Sequence, residues 1–92
     1  MTIDEKIDKI ERKALSLAGE RIRPTIKQKA GALRFHADKN FIPLTDDVDR
    51  FLAGFLRNQV HCWLNFDGDI DDYFDDEGLA WFFLYAAFRR LK

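Results

Sequence analysis

Between Asp67 and Glu77 the chain sets seven carboxylates in eleven positions, with Ile70, Tyr73 and Phe74 interleaved among them. Oxygen ligands at that density could hold a hard cation, and Asp67, Asp69 and Asp71 occupy the first, third and fifth places of a D-x-D-x-D calcium loop. The pattern then breaks. The sixth place, where glycine makes the sharp turn, is Asp72, and the twelfth, where a bidentate glutamate closes the cage, is Gly78; Glu77 arrives one residue early. Weak divalent-cation binding is therefore a subordinate reading, and no metal or cofactor is assigned. Carboxylates alternating with rings offer a different chemistry: attraction at long range for a basic partner, and side chains that can bury against it.

The groups that could carry nucleophilic or zinc chemistry are few. His36 and His61 are the only imidazoles, Ser16 the only serine and Cys62 the only thiol. A Ser-His-acid triad would need Ser16, which lies on an amphipathic first helix near its apolar seam. His61 and Cys62 are neighbours, and adjacent helical residues point about 100° apart, so they do not form a nucleophile and base. Cys62 reads as a small buried hydrophobe. The two histidines lack the His-x-x-x-His spacing of a helical zinc site. No enzymatic constellation is expected.

A second charged region runs from Arg12 to Lys39, where Arg12, Lys13, Arg21, Arg23, Lys27, Lys29, Arg34 and Lys39 face only Glu20 and Asp38. Such charges could meet phosphates, with Phe35 and His36 stacking on bases. Against nucleic acid stand a pI near 6.1 and the scatter of these residues over two helices. In a helix-turn-helix reading the recognition helix would open with Asp46, Asp47 and Asp49, which repel phosphate.

The elements that must position these groups follow from periodicity. Ile3, Ile7, Ile10, Ala14 and Leu17 form one stripe of an amphipathic helix, with Asp4 and Glu5 at the end where carboxylates offset the dipole. Gly19 and Pro24 punctuate its end, with Arg23 pushed out of helical dihedrals by the proline that follows. Pro24 then opens a second helix with Ile26, Ala30, Leu33 and Ala37 inward; Gly31, Ala32 and Phe35 lie on nearly the opposite side, flanked by Lys27, Arg34 and Lys39. Asn40 to Leu44, with Pro43, reads as a linker. Thr45 caps a third helix reaching about Asn65, whose wide apolar sector includes Val48, Phe51, Leu52, Phe55 and Leu56. After the Asp67-Gly68-Asp69 turn, a last helix starts either near Asp69 with a bend at Gly78 or near Gly78 itself. Ile70, Phe74, Trp81, Leu84, Phe88 and Leu91 make its stripe, and Arg89, Arg90 and Lys92 suit its C-terminal end.

Composition fits one domain. Ninety-two residues, 47% hydrophobic with nine Phe and two Trp, are enough for a single core and not for two. Residues 1 to 44 carry ten Lys/Arg against six Asp/Glu, and residues 45 to 92 carry five against ten, so the halves stand at +4 and −5. This asymmetry can dock one half on the other or pair subunits head to tail. The single cysteine excludes an internal disulfide, and the longest apolar run, Leu79 to Phe88, is about half of the ~20 residues a spanning helix needs. The expected protein is an all-α, single compact bundle of about four helices, with the third and fourth at its aromatic centre. It is expected to be cytoplasmic, without a membrane segment. The expected function is non-catalytic, binding a protein partner of unstated identity, with homodimerisation invited by the aromatic content and nucleic acid as the lesser alternative. The residues assigned to contact are Asp69, Asp71, Asp72, Tyr73, Asp75 and Asp76, and on the second helix Lys27, Arg34 and Phe35.

Overall fold

The computed structural model describes residues 3–40, 47–64 and 76–91, which form four helices: α1 (Ile3–Leu17), α2 (Arg23–Asn40), α3 (Val48–Leu64) and α4 (Asp76–Arg90). The chain is the all-α bundle that the periodicity predicts. In α1 the middle of the stripe, Ile7, Ile10 and Ala14, is buried, while its ends open out, Ile3 half-buried and Leu17 exposed; Asp4 and Glu5 stand in the first turn. The α1–α2 connection is a tight turn in which the Ile22 and Arg23 amides donate to the carbonyls of Gly19 and Glu20, and Ile26 already donates to Ile22 at 2.9 Å. Arg23 is thus helical, not excluded by Pro24: the turn's own bonds carry the chain into α2 and outweigh the dipeptide bias.

Ile26, Ala30, Leu33 and Ala37 of α2 are buried, as their spacing requires. The cap of α3 is Asp47, two positions after the expected Thr45: its Oδ1 accepts the Arg50 amide at 3.0 Å and satisfies a donor the helix leaves open. Thr45 lies outside the described residues. Replacing Asp47 with alanine is expected to cost about 1 kcal/mol, read as a shift in urea midpoint without a change in slope. An unchanged midpoint would show that the cap contributes nothing.

The centre of the bundle is α4, and this corrects the sequence reading, which gave α3 an equal share. Helix α4 packs against α1, α2 and α3, and α1 and α2 also pack on each other, whereas α3 rests chiefly on α4. The face that makes this possible is wider than one stripe. Gly78, Ala80, Trp81, Leu84, Ala87 and Phe88 are all buried, the small residues letting neighbouring backbones approach between the large ones. These join the buried residues of the other helices in one apolar cluster, which contains no polar or charged side chain among the described residues.

Opposite charges from the two halves of the chain meet at the helix seams. Arg21 pairs with Asp76, Lys29 Nζ lies 3.4 Å from Glu77, and Lys6 Nζ lies 3.4 Å from Asp49. Lys29 and Lys6 also stand 6.0 Å from the ring centres of Trp81 and Phe88, so each lysine stem covers an aromatic edge while its ammonium reaches a carboxylate. Exposed pairs of this kind add about 0–1 kcal/mol each, so they orient the helices more than they hold them. Helices α1 and α2 run antiparallel: Arg23 donates to the Leu15 carbonyl at 2.9 Å, while Arg34, eleven residues further on, reaches back to Asp8 and Glu11.

Candidate interaction surface

The structure separates the residues assigned to contact. Asp69, Asp71, Asp72, Tyr73 and Asp75 lie outside the described residues. Asp76 is the first residue of α4, where a carboxylate favours the positive end of the dipole, and it is paired with Arg21 of the α1–α2 turn. Arg34 is a strut between helices. Its Nη2 donates to Asp8 Oδ1 at 2.6 Å and Glu11 Oε1 at 2.8 Å. Burial acts to lower the Arg34 pKa, but these hydrogen bonds and the two negative charges outweigh it and leave the pKa raised. A raised pKa on a cation keeps it charged up to strong alkali, so the guanidinium end of the strut does not titrate under ordinary conditions.

Lys27 and Phe35 are exposed, Phe35 by 57%. The ring is not bare, however: Lys39 Nζ lies 5.2 Å from its centre and His36 meets it edge-on at 5.7 Å. His36 also lies 5.2 Å from Phe55, which stacks on Phe51 and meets Trp81 edge to face, so α2, α3 and α4 share an aromatic seam beside Phe35. Of the eight basic residues from Arg12 to Lys39, Arg21, Lys29 and Arg34 form ion pairs and Arg23 caps a carbonyl, which leaves a weaker phosphate-facing charge than the count suggests.

The groups with nucleophilic potential, Ser16 and Cys62, stand on different helices, α1 and α3. Ser16 is exposed and donates to the Lys13 carbonyl at 2.6 Å. Cys62 is exposed, which corrects its reading as a core residue: it sits on the outer side of α3, away from Leu52, Leu56 and Val60. Among the described residues no cluster of three or more His, Cys, Asp or Glu is placed to hold a metal ion. No described helix is long and apolar enough to cross a membrane.

A surface that the sequence reading missed runs along α3 and α4. A hollow of about 440 Å³ is lined by Phe82, Tyr85, Ala86, Arg89 and Arg90 on the outer face of α4. Tyr85 and Arg89 also line the neighbouring groove, about 640 Å³, where Ala53 and Arg57 of α3 complete the wall. Arg57 continues into a third depression with Gly54, Asn58 and His61. The first two hollows share Tyr85 and Arg89 and the last two share Arg57, and this row of neighbouring hollows is called the α3–α4 trough. Phe82 is 44% exposed within it, and the Arg89 guanidinium stands 5.8 Å from the Tyr85 ring. Phe82, Tyr85 and Arg89 recur at three and four residues, which was the available signal; Arg57 enters only through the packing of α3 on α4. No carboxylate lines any of the three grooves among the described residues. No protein-family model matches this chain, and it finds no match among curated proteins or solved structures.

Proposed function

We propose that the protein is a small non-catalytic interaction protein that binds another protein. The observation that carries this reading is the exposure of large rings beside cations, Phe82 near Arg89 and Arg90 and Phe35 beside Lys39, in a fold whose core closes without them. Rings set among arginines are the side chains that most often anchor an interface, since they bury large area and their desolvated contacts are strong. The acidic-aromatic run from Asp69 to Asp76, and the Lys27–Phe35 side of α2, are further proposed contact surfaces on the strength of the sequence alone. Homodimerisation and a cytoplasmic location belong to the same proposal.

Affinity capture from native cells, followed by mass spectrometry, tests the reading. The expected result is a protein enriched by the wild-type chain and lost when residues 69–76 or the α3–α4 trough are altered. Capture of nucleic acid in place of protein, or of nothing above background, would remove it.

A further inference from the structure

We infer that the α3–α4 trough is a docking site for an acidic segment of a separate partner protein, one carrying apolar or aromatic side chains among its carboxylates. The inference deepens the interaction reading by assigning a surface and the chemistry of its occupant.

The argument is one of charge complementarity. Arg57, Arg89 and Arg90 converge on grooves that share walls, and none of the three forms an ion pair with a described carboxylate. Ion pairs in other parts of the bundle join Asp76 with Arg21, Glu77 with Lys29, Asp49 with Lys6, and both Asp8 and Glu11 with Arg34. The trough thus gathers positive charge, and the described residues place no carboxylate along it. Guanidinium groups meet carboxylates through paired, planar hydrogen bonds, so three of them fix both the sign and the register of what lies across them.

The floor sets the second requirement. Phe82, Tyr85 and Ala86 give the hollow an apolar base between the arginines, suited to a side chain inserted from a helix or extended segment. A polyphosphate would use the arginines but not that floor. Arg89 and Arg90 do offset the dipole at the C-terminal end of α4, but that role does not account for Arg57, which reaches the same groove from another helix.

The test is a fluorescence-anisotropy titration of the full chain with three labelled probes. They are a dodecapeptide of Asp and Glu with two Phe, the same peptide with Ser in place of Phe, and a dodecamer of deoxythymidylate. The first is expected to bind saturably and the other two at least about tenfold more weakly. The triple variant Arg57→Gln, Arg89→Gln, Arg90→Gln is expected to weaken the first probe about tenfold or more and to flatten its salt dependence. Phe82→Ser is expected to weaken it while leaving the salt dependence in place. All four positions are solvent-facing or groove-lining, and circular dichroism of each variant establishes that it is folded.

Equal binding by wild type and a folded triple variant would overturn the assignment, as would tighter binding of the oligonucleotide. Light scattering supplies the last arm. Self-association abolished by the triple variant would give the trough to a second copy of this chain and sink the claim for a separate partner. Failure of all peptide binding, alongside successful capture of a protein partner, would refute this surface and leave the interaction reading standing.

Discussion

Replacing Phe88 with alanine is expected to destabilise the protein by about 3–5 kcal/mol, the usual range for emptying a fully buried ring site. Phe88 is 1% exposed and heads the fully buried side chains by size, on the helix that all the others contact. A domain of this length has a total stability of about 5–15 kcal/mol, so one substitution removes a large share of it. The melting temperature should fall by more than about 10 °C, followed by the helical signal in circular dichroism. The comparison that gives the number meaning is Phe82→Ser, on the outer face of the same helix, which should stay within about 0.5 kcal/mol of wild type. Equal losses at the two positions would mean that α4 does not present the face described.

Leu56→Ala should cost about 2–5 kcal/mol, and its effect should be distributed unevenly. Leu52 and Leu56 are fully buried, and they hold α3 on α4, whereas α1 and α2 hold each other as well as α4. Native-state hydrogen exchange should therefore show the amides of α3 losing protection first and most, with α1 and α2 less affected. A uniform loss along all four helices would show that the bundle opens as one unit and that α3 is no more detachable than the rest.

The parts of this fold that were legible in the sequence are those where one face alone is apolar. Ile7, Ile10 and Ala14, and likewise Ile26, Ala30, Leu33 and Ala37, repeat at helical spacing, and every one of them is buried. Helix α4 was harder for a physical reason. Its residues are apolar nearly all round, so the periodic contrast that marks an inward face is weak, and Ala80 and Ala87 are buried through their smallness, not through a place in an obvious stripe. The same ambiguity made α3 look central, since Phe51 and Phe55 widen its apolar sector, although in the structure both are half-buried at its flank.

Function was less legible than fold. The charge asymmetry between halves is met in part by pairs within the bundle, Arg21 with Asp76 and Lys29 with Glu77, an outcome the sequence could pose but not decide. Arg34 looked like a contact residue because two carboxylates of α1, more than twenty positions away, cannot be matched to it by spacing. Arg89 and Arg90 carried an ordinary explanation at a helix end, and that explanation concealed them. The meeting of Arg89 with Arg57 in one groove depends on how α3 lies on α4, which no local pattern encodes. Asp69, Asp71, Asp72, Tyr73 and Asp75 fall outside the described residues.

The order of the helices has a consequence for synthesis on the ribosome. Because the element that every other helix leans on comes fourth, the oily stripes of α1, α2 and α3 have no common seat until translation has passed Phe88. The nascent chain can close the α1–α2 hairpin early, but it completes its interior only once α4 has been made, and until then it carries greasy surface open to stray neighbours.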